Sequence, residues 1–154
     1  MKKSADDLIQ LTRLVRLCFQ RLKTLGDELH ADLGLTSALR AILEAASEEG
    51  ERTVPQIAAA KSVSRQHIQK HVDMLVASGH IELLPNPSHK RSPFVGLTKK
   101  GAKAFAEMKW RERRIVSELL NQTDLAQLPR TVAQLRDFTD SLKSFISGDE
   151  DRDD

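Results

Sequence analysis

Tyrosine is absent from this chain, tryptophan occurs once and phenylalanine five times. Large all-β domains lean on aromatic and β-branched residues, so this scarcity points to a helical core of Leu, Ile, Val and Ala. The one cysteine, Cys18, excludes an intramolecular disulfide framework and a cysteine-rich zinc site. No apolar run approaches the roughly 20 residues that span a bilayer. Met1-Lys2-Lys3 could open a signal peptide, but Asp6, Asp7, Arg13 and Arg16 leave no apolar segment behind it, so a cytoplasmic location without membrane contact is expected. Internal repeats and low-complexity linkers are also lacking. What remains is a chain of 154 residues, 40% hydrophobic and 30% charged. That is a globular composition, long enough to bury a core without metal or disulfide staples.

The formal net charge is only +2, but it is unevenly spread. Residues 86–114 hold nine Lys and Arg against two Asp and Glu, whereas residues 115–154 hold four against nine. A basic stretch in an otherwise balanced chain is either a footprint for a polyanion or a solvated helix face.

Apolar spacing organises the rest. Leu8, Leu11, Val15, Cys18, Leu22, Leu25 and Leu29 alternate at steps of three and four, a heptad seam that needs a partner, within the chain or from a second copy. Gly34-Leu35-Thr36 ends this helix, and Thr36 or Ser37 caps a second one carrying Leu39, Ile42, Leu43 and Ala46. Thr53-Val54-Pro55-Gln56 reads as a capping box with proline in the first turn of a short helix, Pro55 to Ala60. Ser64 caps the next helix, which places Ile68, Val72, Leu75 and Val76 on one face and stops at Ser78-Gly79. Two such helices joined by a tight turn form a helix-turn-helix, with Ala58 at the crossing and Val63 and Ile68 filling the space between. Ile81–Leu84 and Phe94–Leu97 read as a hairpin with a nine-residue tip. Thr98 caps a helix to about Asn121, and a last helix carries Leu128 to Ile146, with Pro129 in its first turn or kinking it.

A helix-turn-helix followed by a hairpin is a winged helix. With one long helix before it and two after it, the chain resembles the MarR family of transcriptional regulators from about Leu8 to Ile146. Four fragments carry the resemblance: Leu33-Gly34-Leu35-Thr36, Val63-Ser64-Arg65-Gln66-His67-Ile68, Gly79-His80-Ile81-Glu82 and Leu97-Thr98-Lys99-Lys100-Gly101. Each is weak alone; in this order and spacing they are specific. There are two departures. His89 stands where the family commonly has the acidic residue that steadies the wing arginine, here Arg91, and Lys61-Ser62 replaces a Leu-Gly pair. The fold implied is mainly α with a small β-hairpin wing. A winged helix-turn-helix DNA-binding domain spans 35–114, dimerisation helices span 1–34 and 115–147, and residues 148–154 form a disordered acidic tail.

The resemblance implies a homodimer that binds double-stranded DNA at a pseudo-palindromic operator, a repressor released by a small phenolic or apolar effector. A recognition helix meets base edges with its N-terminal half. Ser64, Arg65, Gln66, His67, Gln69 and Lys70 occupy that half and avoid the apolar face. Arg suits guanine and Gln suits adenine. His89, Lys90, Arg91 and Ser92 at the wing tip would reach the backbone or minor groove. Leu8, Leu11, Val15, Leu128, Val132, Leu135, Phe138, Leu142 and Ile146 form apolar stripes beyond what a winged helix covers, and would dimerise.

Other readings compete. His67 and His71 stand four apart, but no cysteine or carboxylate cluster completes a metal site, so no metal and no cofactor are expected. Leu17-Cys18-Phe19 looks like the thiol position of the family's peroxide-sensing branch. That branch holds its thiol with tyrosine hydroxyls, and the seam position favours an inert packed thiol. The chain shows no nucleophile–base pair, glycine-rich phosphate loop or acidic metal cluster, so an enzyme is not expected. The alternatives to a DNA-binding repressor are a winged-helix module binding protein or RNA, and a thiol-based regulator using Cys18.

Overall fold

The computed structural model describes residues 2–48, 51–122 and 126–150. The first helix, α1 (Lys2–Leu29), follows from the three-four spacing, and a 3-10 turn at Ala31–Leu33 with Gly34 at φ 66° reverses the chain. Only glycine adopts that backbone without steric cost. Helix α2 (Ser37–Ser47) starts where the Thr36 hydroxyl accepts from the Leu39 N–H at 3.3 Å. Asp27 on α1 braces the same end, its carboxylate accepting from Lys23 and from the Ser37 N–H, each at 2.7 Å. The Lys23 hydrogen bond, then that of Ser37, holds the Asp27 pKa at about 2, below its ordinary 3.8. An anion at a helix N-terminus is also favoured by the helix dipole.

A two-residue strand, β1 (Arg52–Thr53), leads into α3 (Val54–Ala60). The expected capping box is present: the Thr53 N–H donates to Gln56 Oε1 at 2.8 Å, and the Thr53 hydroxyl donates to the same oxygen at 3.1 Å. Helix α4 (Arg65–Ala77) starts at Ser64, whose hydroxyl accepts from the His67 N–H at 3.2 Å, and ends at Gly79 with φ 72°. Strands β2 (Ile81–Leu84) and β3 (Phe94–Leu97) form the expected antiparallel hairpin, with Ile81 opposite Leu97. Strand β1 pairs with the other edge of β3, Arg52 opposite Val95, giving the order β1-β3-β2. Two residues carry no alternating pattern, so this third strand was invisible to periodicity. Helices α5 (Lys99–Leu120) and α6 (Leu128–Glu150) complete the chain.

The core gathers Leu39, Ile42 and Leu43 of α2, Ile57 and Ala58 of α3, and Ile68, Val72 and Leu75 of α4. Ile81, Val95, Phe105 and Met108 close it. Each large aliphatic here contributes about 1.5–3 kcal/mol by leaving water. Thr98 and Gly101 join the wing to α5. The Thr98 hydroxyl donates to the Gly79 carbonyl at 2.7 Å and accepts from the Gly101 N–H at 3.1 Å. A Cβ on Gly101 would overlap the His80 carbonyl oxygen.

Packing divides the chain within α5, after Glu112. Helix α1 therefore groups with the winged helix. In the first unit, Glu112 accepts from Arg40 Nε, from Arg40 Nη2 at 2.7 Å and from His30 Nε2 at 3.3 Å. Arg111 donates to both Asp32 oxygens, at 2.5 and 2.9 Å, and to the Leu29 carbonyl at 2.9 Å. The second unit holds the end of α5 and all of α6.

Three expectations need correction. Val63 does not fill the helix crossing; it is exposed. Ser62 takes φ 52° in the turn and leaves Val63 at the rim, its N–H bonded to the Ala58 carbonyl at 3.1 Å. Val76 is likewise exposed, one position past the stripe that Leu75 completes. The tail does not begin at Gly148, since α6 continues to Glu150. An interior glycine costs a helix only about 1 kcal/mol against alanine. Residues 151–154 of the expected tail lie outside the described residues.

Two predictions follow from this packing. Gly101→Ala should lower stability by about 1–3 kcal/mol, as overpacking against fixed backbone does; an unchanged thermal midpoint would contradict the close seating of α5 on His80. Asp27, with a depressed pKa, adds stability that is present above about pH 3.8 and lost as pH falls through about 2. The wild-type midpoint should therefore fall more steeply between those pH values than that of Asp27→Asn, and equal slopes would remove Asp27 from the acid response.

Candidate nucleic-acid interface

Helix α4 divides its residues by the 3.6 period. Ile68, Val72 and Leu75 point into the core, which leaves Arg65, Gln66, His67, Gln69 and Lys70 exposed on the other side, below the Ser64 cap. The Ser64 hydroxyl satisfies one of the unpaired N–H groups of the first turn, that of His67.

The wing reaches back over this face. Arg65, Gln66 and Gln69 of α4 share a groove of about 310 Å³ with Leu83 of β2, with Arg91, Ser92 and Pro93 of the wing, and with Val54 and Pro55 of α3. Ser64, His67 and Lys70 line a second, broader concavity together with Gln66, Gln69, Asp73 and Met74. Gln66 and Gln69 thus form the ridge between the two. The structure brings Arg91 and Ser92 to the recognition helix; His89 and Lys90 lie exposed at the tip, outside both grooves. His67 and His71 meet ring to ring at 4.5 Å, and His71 Nδ1 donates to the His67 carbonyl at 2.8 Å. Among the described residues, no three His, Cys, Asp or Glu gather where a metal ion would be held.

Sequence reasoning missed the residue that shapes the wing. Asn86 is buried; its Oδ1 accepts from the N–H groups of Ser88 and His89 at 3.1 and 3.2 Å, and its Nδ2 donates to the Ser92 carbonyl at 2.8 Å. It bridges the tip from one side to the other through backbone groups of Ser88, His89 and Ser92. The signal was present: asparagine before proline starts turns by bonding its own backbone two residues on. Gln69's partner Asp73 was missed as well.

Elsewhere in the first unit, a cavity of about 630 Å³ is lined by Leu33, His80, Lys100, Lys103, Ala104, Ala106, Glu107 and Arg111. Burial, then nearby Lys100, pushes the His80 pKa down, and its Nδ1 lies 2.8 Å from the Ser78 hydroxyl. That hydroxyl is also within hydrogen-bond reach of the Leu75 carbonyl, at 3.2 Å.

Most of the expected dimerisation positions are exposed. On α1, Leu8 and Leu11 are exposed and Val15 half-buried. On α6, Leu128, Val132, Leu135, Leu142 and Ile146 are exposed and Phe138 half-buried. Cys18 is exposed too. No helix among the described residues is long and apolar enough to cross a membrane.

No protein-family model matches the chain. It is 32% identical over 138 residues to uncharacterised proteins of Mycobacterium tuberculosis and Mycobacterium bovis, spanning 88% of this chain and 96% of theirs. It is 31% identical over 105 residues to the multiple antibiotic resistance protein MarR of Escherichia coli, spanning 66% of this chain and 73% of that one. Among solved structures it is similar to a MarR family transcription regulator at 26% identity and TM-score 0.79, over 93% of this chain and 97% of that chain. It is similar also to a mutant MarR from Escherichia coli complexed with operator DNA, at 25% identity and TM-score 0.77, over 86% of this chain and 95% of that chain. The four sequence fragments, the three-stranded winged helix built around them and these relatives converge: the chain belongs to the MarR family of winged-helix transcription regulators.

Proposed function

We propose that the chain acts as a homodimer that binds a pseudo-palindromic operator in double-stranded DNA and represses transcription until a small phenolic or apolar effector releases it. The reading is carried by the groove in which Arg65, Gln66 and Gln69 face Arg91 and Ser92 of the wing. A helix end with bidentate side chains beside a basic finger can enter a major groove while the finger follows the adjacent minor groove. The +7 balance of residues 86–114 supplies sequence-independent attraction to phosphates. The operator-bound relative supports the same use of the fold.

Dimerisation is supported by the exposed apolar stripes on α1 and on α6, which a monomer would leave in water. Two copies would set two recognition helices about one DNA turn apart. The effector would occupy the cavity beside α5, where Leu33 and Ala104 offer apolar contact and Lys100 and Lys103 a positive rim. Its occupation would act by changing the spacing of the two recognition helices.

On a duplex enriched from a random library, Arg65→Ala should lose base preference, costing about 1–3 kcal/mol of discrimination at one position. Arg91→Ala should weaken binding to enriched and scrambled duplexes alike and make affinity less sensitive to salt. Sedimentation of the wild-type complex should show two chains per duplex. Unaltered binding by both variants, or one chain per duplex, would contradict this use of the groove or the two-half-site arrangement.

A further inference from the structure

Asp73 stands out on a face that is otherwise neutral or basic. It is exposed on α4 and lines the broader concavity with Lys70. A carboxylate there repels phosphates, yet among the described residues no cation pairs with it. Its partner is Gln69, whose Nε2 donates to Asp73 Oδ1 at 2.8 Å. We propose that Asp73 is a positioning residue that holds the Gln69 amide in the one orientation able to read adenine. This inference rests on the DNA-binding reading above.

The chemistry is one of donors and acceptors. An ionised carboxylate only accepts hydrogen bonds, so the nitrogen end of the Gln69 amide must face Asp73. A flipped amide would set Oε1 against a carboxylate oxygen. One amide hydrogen is thereby committed, and the other hydrogen and the carbonyl oxygen are left to meet a base. Adenine offers N7 as acceptor and its N6 amine as donor in the major groove, which that pair satisfies; guanine offers N7 and O6, two acceptors, and needs two donors. An unconstrained glutamine can turn its nitrogen toward guanine O6. Gln69, held by Asp73, meets it with an oxygen. Gln66 on the same ridge has Lys70, not a carboxylate, four residues on. Its amide keeps both orientations and serves as an internal control.

The test is a selection from a random duplex library by the wild-type protein and by Gln69→Ala, Asp73→Asn and Asp73→Glu, followed by titration of adenine and guanine versions of the enriched site. Asp73→Asn keeps size and hydrogen-bonding capacity but accepts either amide orientation. The wild type should enrich adenine at one position of each half-site and prefer it to guanine by about tenfold or more, the range of one bidentate contact. Gln69→Ala and Asp73→Asn should bring that ratio toward one at that position only, while Asp73→Glu restores it. Residue 73 is exposed, so thermal midpoints should match the wild type. A wild-type preference for guanine at the Gln69 position, or an Asp73→Asn variant that keeps the adenine preference, overturns the proposal. No enriched sequence with the wild type defeats the DNA-binding reading itself, and the proposal with it.

Discussion

The carboxylate of Glu112 is gripped by Arg40 of α2 and faces His30 just beyond α1, and the seating of α1 against the winged helix depends on it. Both guanidinium contacts are used, a bidentate geometry that lysine cannot reproduce. His30 is fully buried, and among the described residues its Nδ1 has no hydrogen-bond partner. A hydrogen on Nε2 is therefore the satisfactory arrangement: it donates to Glu112 and leaves only a bare acceptor on the other side of the ring. The adjacent Arg111 closes on Asp32 and the Leu29 carbonyl, and its hydrogen bond to Asp32, then that to Glu107, pushes its pKa up. Two successive residues of α5 thus hold the α1–α2 connection, which is why α1 packs as part of the winged-helix unit.

The other end of α5 is fixed by steric fit. Gly101 lies against the His80 carbonyl, and Thr98 ties the end of β3 to the Gly79 turn that closes α4. The recognition helix, the wing and α5 therefore share one small junction. Its rigidity matters for the face it supports. Arg65 and Arg91 come from segments 26 residues apart in the chain and line a common groove only because β2 and β3 return from that junction in register. In the dimer proposed above, a force on α5 would reach each recognition helix through the same junction.

Legibility in the sequence followed local chemistry. Thr36, Thr53, Ser64 and Thr98 announced helix starts because capping depends on residues three apart, and the three-four spacing of Ile68, Val72 and Leu75 announced the buried face of α4. The recognition-helix positions were legible as what that face left over. Strand β1 was not, since two residues cannot show a period. Val63 was misplaced because the turn at Ser62 depends on a positive φ that the residue type does not advertise. The Asn86 bridge, the Gln69–Asp73 pair and the Arg40–Glu112 contact needed coordinates. The first depends on how the tip folds back to bring Ser88, His89 and Ser92 to Asn86, the second is a helical spacing too common to single out, and the third joins residues 72 apart in sequence.

The central claim is that α4 and the wing form one sequence-reading DNA surface. Fluorescence anisotropy on a library-enriched duplex and on its base-scrambled counterpart, each across a range of salt, tests it most directly. The account predicts binding to the enriched duplex about a thousandfold or more tighter, with affinity for both duplexes falling steeply as salt rises. Equal affinity for the two duplexes at every salt concentration would contradict it.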